Sequence, residues 1–216
     1  MTQLINAQTE VTSSKIKVYV PSDNGTSSNS YKWTVKTDLF SFLVGEFPII
    51  GEYRIDDKLS IEASAGITYA FWPNGISFFE ALDGSVDSNF DPGLGSAFRL
   101  GIKYYPSSHW DAIEGWAFGI IAFTVTNNRT LKNFDPAFPV DFTDSETKTG
   151  AMITISNQIF WDSNISYEYL IGVGFSSNKR EYIGIDYNSV NSSIILFTEE
   201  NTAPTFKFGV RIGFGN

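Results

Sequence analysis

From Tyr31 to the end of the chain, almost every apolar segment keeps a period of two, and this decides the fold class before anything else does. Eight such segments stand out, at 31–43, 46–56, 59–71, 96–105, 115–126, 148–160, 165–175 and 205–215. Alternation of this kind puts successive side chains on opposite faces of a strand, whereas a helix would repeat every 3.6 residues. In the last segment Phe206, Phe208, Val210, Ile212 and Phe214 share one face, and Thr205, Lys207, Gly209, Arg211 and Gly213 the other. The third is equally regular, with Leu59, Ile61, Ala63, Ala65, Ile67, Tyr69 and Phe71 set against Ser60, Glu62, Ser64, Gly66, Thr68 and Ala70. The chain is expected to be all-β.

A half-buried soluble sheet would alternate in the same way, so the composition of the polar face has to separate the possible solvents. That face is mostly Gly, Ala, Ser and Thr, with isolated charges of both signs: Lys36, Asp38, Glu52, Arg54, Glu62, Arg99, Lys103, Glu168, Lys207 and Arg211. Water favours long, solvated side chains, and glycine weakens a strand interior. Small residues and near-balanced charges suit a crowded interior instead. A closed sheet of eight strands is just wide enough inside for side chains to fill it. Charges in such a space must pair, because each unpaired one costs several kcal/mol. The ten are therefore expected to form an ion-pair network along the axis of a barrel whose apolar face looks outward.

The connections agree with this plan. Those after the second, fourth and sixth segments are short, and those after the third, fifth and seventh run about 20 to 30 residues, the alternation of turns and external loops found in membrane-spanning barrels. Each segment has about the length a tilted strand needs to cross a bilayer. The longest apolar run, WAFGIIAF at 116–123, is far too short for a spanning helix. When the strands are threaded up and down, Trp33, Tyr53, Tyr104, Trp116, Trp161, Tyr167 and Phe214 fall near one rim. Tyr69, Phe71, Trp72, Phe98, Phe175 and Phe206 fall near the other, giving two aromatic girdles. Ile121, Phe123 and Val125 break the pattern of their strand, which requires a bulge or a locally apolar lumen.

The formal charge of −9 lies mainly in the long connections, where 72–95, 127–147 and 176–204 hold four basic and twelve acidic residues. No Lys/Arg cluster offers a footprint for nucleic acid. Cysteine is absent, which removes disulfides, thiolate metal sites and cysteine nucleophiles together. The expected architecture is an eight-stranded antiparallel up-and-down transmembrane β-barrel over 31–216, with a charged lumen and three long external loops. Residues 1–30, including the aperiodic run PSDNGTSSNS at 21–30, read as a flexible periplasmic tail. Within that tail KIKVYV, at 15–20, alternates enough to plug a lumen or add to a sheet edge.

The segments GEYRIDDKLSIEASAGITY (51–69), NISYEYLIGVGF (164–175) and FKFGVRIGFGN (206–216) resemble the small outer-membrane β-barrels of Bacteroidetes, and are similar in plan to eight-stranded barrels of the outer-membrane protein A type. MTQLINAQ at the start resembles the end of a cleaved signal peptide. The resemblance implies residence in the cell outer membrane, contact with outer-membrane lipid, insertion by the barrel-assembly machinery and association with a larger outer-membrane complex. It implies no catalytic residue, cofactor or metal. The role it leaves is a non-enzymatic one, structural, adhesive or as a complex subunit, acting through acidic loops or the barrel wall. The alternatives are a small pore or a soluble, lipocalin-like carrier with an apolar interior.

Two clusters invite chemistry. His109, the only histidine, has Ser107, Ser108 and Asp111 close by, as a lipid hydrolase would want, but triad members come from separate elements and the stretch reads as a periplasmic turn. Asp83, Asp87 and Asp91 match no calcium-loop spacing and read as solvated loop acids.

Overall fold

The computed structural model describes residues 31–69, 90–107, 111–131, 141–161, 164–186 and 193–216. Nine strands and one short helix are formed among them: β1 (Trp33–Asp38), α1 (Leu39–Leu43), β2 (Glu46–Asp56), β3 (Leu59–Tyr69), β4 (Phe90–Pro92), β5 (Leu94–Tyr104), β6 (Gly115–Leu131), β7 (Phe142–Phe160), β8 (Ile165–Asp186) and β9 (Ser193–Gly215). All pairings are antiparallel. β1, β2, β3, β5, β6, β7, β8 and β9 pair in that order and β9 returns to β1, so eight strands close an up-and-down ring while β4 pairs only with the outer part of β6. Among the described residues no helix is long and apolar enough to cross a membrane.

Alternation dictates the two faces. Side chains of one parity point into the ring and are buried, as for Glu62 (2 % exposed) and Arg211 (1 %), while those of the other point out, as for Phe208 (64 %) and Ile61 (39 %). The outward face is a continuous apolar belt that includes Val35, Ile49, Ile67, Leu100, Ile120, Ile153, Ile171 and Val173. The usual order of a protein in water is reversed here.

Several sequence expectations need correction. Segment 31–43 is a strand only as far as Asp38, whose Oδ1 accepts the Phe40 N–H at 3.2 Å and turns the chain into α1. Gly45 then carries the left-handed φ of 75° that brings the chain back into β2. The long connections expected at 127–147 and 176–204 are largely strand. β6 to β9 run 17, 19, 22 and 23 residues against 11 in each of β2, β3 and β5, so two hairpins continue past the ring as an open sheet. No register break interrupts the β6–β7 pairing. The irregularity at Ile121 and Phe123 is an apolar patch of the interior, where they pack with Met152 and Leu170 and against Val125.

At the opposite end the connections are short, and the one between β5 and β6 folds back against the ring. Ala112 N–H donates to Asp57 O at 2.7 Å, and Ile113, Ala112 and Tyr105 are all buried there. The expected tail 1–30, Phe71, Trp72, Asp83, Asp87, Ser108 and His109 lie outside the described residues.

Candidate functional site

The interior is filled by ion pairs arranged in two groups. Lys36 from β1, Glu52 from β2, Glu62 from β3, Lys103 from β5, Glu168 from β8 and Arg211 from β9 converge on the axis. Lys36 Nζ lies 2.5 Å from Glu52 Oε2 and 2.6 Å from Glu168 Oε2; Lys103 Nζ lies 2.6 Å from Glu168 Oε1, 2.8 Å from Glu62 and 3.1 Å from Glu52. Arg211 Nη1 donates to Glu62 at 2.9 Å and to Glu168 at 3.1 Å. All six side chains are buried, and three neutral groups complete the cluster: Ser60 and Tyr105 donate to Glu52, and Gln158 Oε1 accepts from Lys36 at 2.9 Å.

Nearer the α1 end, Lys207 pairs with Asp38 at 3.1 Å, and Arg99 forms a two-toothed pair with Glu46. Glycines clear the space these long side chains need. A Cβ on Gly213 would come within 2.5 Å of Lys36 Cγ, and one on Gly209 within 3.0 Å of Asp38 Oδ2. At these two positions glycine is a packing requirement of the ion pairs.

Of the ten expected lumen charges, Arg54 is not in the network. It has the inward parity of Glu52, but it sits where the ring opens at its end, and its Nη1 lies 3.0 Å from Asp111 Oδ2 on the β5–β6 connection. Glu46 takes part in its stead, a residue that the sequence reading left at a strand boundary. With this exchange the interior holds, among the described residues, five cations (Lys36, Arg99, Lys103, Lys207, Arg211) and five carboxylates (Asp38, Glu46, Glu52, Glu62, Glu168), each joined to an opposite charge. Tyr105 and Gln158 were also missed, although each shares the parity of an inward neighbour, Lys103 and Ser156.

The carboxylates of Glu52, Glu62 and Glu168 lie within 4.8 Å of one another, as metal ligands would. Lys36, Lys103 and Arg211 stand among them, so three fixed cations already neutralise the three anions. Ser60 and Tyr105 place hydroxyls on Glu52, but that carboxylate also holds Lys36 and Lys103, and acid–base work is poorly served by groups held in such pairs.

The described aromatic residues of the two expected girdles lie toward the two ends of the belt. Trp33, Tyr53, Tyr104, Trp116, Trp161 and Phe214 are exposed, and Tyr167 half-buried, at the end with the short connections. There Trp33 packs against Phe214, with ring centroids 6.1 Å apart, and Trp161 meets the edge of Tyr167 at 5.5 Å. Phe206 is exposed and Tyr69 half-buried toward the other end.

No family model, curated protein or solved structure matches this chain. Its function has to be argued from the geometry.

Beyond the belt, a further charge group, with Asp144 and Arg129 buried and Arg180 partly exposed, ties the projecting strands together. Asp144 on β7 accepts from Arg129 Nε on β6 at 2.7 Å and from Arg180 Nη2 on β8 at 2.7 Å. Burial alone would raise its carboxyl, but hydrogen bonding to Arg180 and the charge of Arg129 hold it below the usual range. On the connection at the other end, burial and the neighbouring Asp111 push Glu114 up to about 7.

Proposed function

We propose that this chain is an outer-membrane β-barrel of the small Bacteroidetes type, without enzymatic activity and with a plugged lumen, acting as a structural, adhesive or complex-subunit protein through its outer strands or its wall. One observation carries the reading: a closed sheet turned inside out, with a neutral set of buried ion pairs along its axis and a continuous apolar belt around it. Soluble monomers rarely expose contiguous apolar patches beyond a few hundred Å². In hydrocarbon the same belt is satisfied, and closure of the sheet leaves no ring hydrogen bond facing lipid. The aromatic residues at its two ends are the side chains that favour a membrane–water interface.

Export through a signal peptide, insertion by the barrel-assembly machinery and membership of a larger outer-membrane complex belong to the same proposal. A pore would need a water path past Lys36, Glu52, Glu62, Lys103, Glu168 and Arg211, and past the β5–β6 connection folded against one end. A carrier of an apolar ligand would need the whole interior greasy, whereas the middle of this one is filled by ion pairs and the patch around Ile121 is small. Refolding into phosphatidylcholine vesicles tests the proposal directly. The folded chain should resist extraction by alkaline carbonate and migrate differently on gels with and without heating. In planar bilayers it should show no steady unit conductance. A chain that stays in solution without detergent, or one that gives steady channels, overturns the reading.

A further inference from the structure

β9 is paired with β8 along almost its whole length, from Ser193 to Phe214, but with β1 only from Arg211 to Gly215. Among the described residues nothing pairs with the β1 side of β9 between Ser193 and Val210. α1 lies beside the lower part of this stretch, where Lys207 Nζ donates to Ser41 Oγ at 3.3 Å. The part from Ser193 to Pro204, in the sheet that projects beyond the ring, is among the described residues an open strand edge.

The direction of its backbone groups follows from the other end of the strand. Gly215 N–H donates to Asn164 O on the β8 side at 2.9 Å, and Asn216 N–H to Trp33 O on the β1 side at 3.1 Å. Successive residues of a strand aim their N–H and C=O to opposite sides, and the β8–β9 register runs unbroken. Even-numbered residues of β9 therefore face the open edge, so that Leu196, Thr198, Glu200 and Thr202 present donors there. Pro204 has the same parity, and a proline is tolerated in a strand where its missing N–H would have faced away from the ladder.

The side chains say what would fit. Every residue from Ile195 to Thr202 is exposed, on both faces of the sheet, with Leu196 at 61 % and Ile195 and Phe197 beside it. An exposed, apolar edge strand is a template for another strand and is normally blunted or covered. Next to this run, Glu199 and Glu200 receive only hydroxyl hydrogen bonds, from Tyr182 at 2.8 Å and Ser177 at 3.0 Å. Lys179 and Arg180 stand opposite Glu200 and Glu199 across the β8–β9 pair, but their short ion pairs go to Glu181 at 2.6 Å and Asp144 at 2.7 Å.

A second copy of this chain fails as the occupant. A second copy in the same membrane would share this one's up–down sense, so a two-fold axis along the membrane normal would cross the tilted β9 strands at about twice their roughly 40° tilt. It would also bring like charges together at Glu199 and Glu200. We propose that the open edge of β9 is a strand-addition site for an extended segment of another protein. That segment carries apolar side chains against Ile195–Phe197 and two Lys or Arg against Glu199 and Glu200, in the order basic, basic, polar, apolar, apolar, apolar if it runs antiparallel. Only the exclusion of a second copy rests on the membrane reading.

The test uses the full chain refolded in zwitterionic detergent and a fluorescent synthetic peptide, Lys-Lys-Thr-Val-Ile-Val, read by anisotropy. Saturable binding is expected. Methylating every second backbone nitrogen of the peptide, in two versions of opposite parity, should weaken binding about tenfold or more for one version only, because only one parity donates to β9. Thr198→Pro removes a donor from the open edge and leaves the β8 ladder intact, so it should fold and bind at least about tenfold more weakly. Should it not fold, the methylated peptides on the unaltered chain decide alone. No saturable binding, equal binding of both methylated versions, or self-association of the chain that the peptide cannot displace would each overturn the proposal. Vesicle insertion is scored separately: insertion without peptide binding sinks this proposal alone, and binding without insertion sinks the membrane reading alone.

Discussion

Glu168 shows what a buried charge demands of its neighbours. Its two oxygens meet Lys36, Lys103 and Arg211 at 2.6, 2.6 and 3.1 Å, each partner from a different strand. Glu168→Gln leaves these three cations facing two carboxylates, Glu52 and Glu62, and should cost about 3–5 kcal/mol in urea unfolding from micelles. Arg54→Ala breaks the half-exposed pair with Asp111 and should cost less than about 1 kcal/mol; equal losses would mean that the cluster does not anchor the fold. Glu114 gives a pH dependence of definite sign. Its carboxyl is raised from 4.5 to about 7, so between those values the folded chain binds more protons than the unfolded one. The stabilisation is complete below the lower value and is lost as pH rises through the upper. Unfolding midpoints should fall between about pH 5 and about pH 8, and Glu114→Gln should flatten that slope. Most of the interior charges were legible from parity alone. Arg54 and Glu46 were not, because parity says which way a side chain points but not whether the ring still encloses it at that height.

At the scale of elements, the ring strands announced themselves and their extensions did not. β3 and β5 have one apolar face, which a period of two makes visible. In the outer parts of β6 and β7 both faces are polar: Thr124 pairs with Thr149 and Thr126 with Thr147 through hydroxyls 3.1 and 3.2 Å apart, and Ser145 donates to Asn128 at 2.9 Å. Without an apolar face the alternation vanishes from the sequence, and such a stretch reads as loop. α1 misled for the opposite reason. Five residues, LFSFL, are too few to tell a period of two from one of 3.6, and the Asp38 cap that decides the matter is a single side chain. The projecting strands lean on Asp144, which joins β6, β7 and β8. Asp144→Ala removes the carboxylate shared by Arg129 and Arg180, and amide hydrogen exchange should quicken at Arg129–Leu131 and Arg180–Tyr182 while the ring stays protected. Because the Asp144 carboxyl is held below its usual value, its contribution is present above the ordinary carboxylate range and fades as pH falls through the lowered one. Exchange at those amides should therefore accelerate selectively in acid, beyond the intrinsic effect of pH.

For the whole molecule, the argument turns on which solvent meets the belt. Five interior cations against five carboxylates need no counter-ion from outside, and the cavity they fill is closed by hydrogen bonds all the way round. Inside, Ser64 Oγ, Arg99 Nε, Gln158 Nε2 and Arg211 Nε are buried without a hydrogen-bond partner among the described residues, while the apolar belt outside offers water nothing to bond. Tryptophan placement converts this into a measurement, because Trp33, Trp116 and Trp161 are exposed at one end of the ring while Phe208 and Ile171 lie opposite each other in the belt itself. In vesicles of brominated phosphatidylcholine, bromine near the headgroup should quench the native tryptophans more than bromine near the chain end. Phe208→Trp should add fluorescence with the reverse preference, quenched best by deep bromine and sheltered from iodide in the water. The exchange of one exposed aromatic ring for another leaves the interior ion pairs untouched, so altered folding would not account for a negative result. If the tryptophan at 208 were quenched by iodide and not by deep bromine, the belt would face water, and the outer-membrane reading would fail with the ring itself left standing.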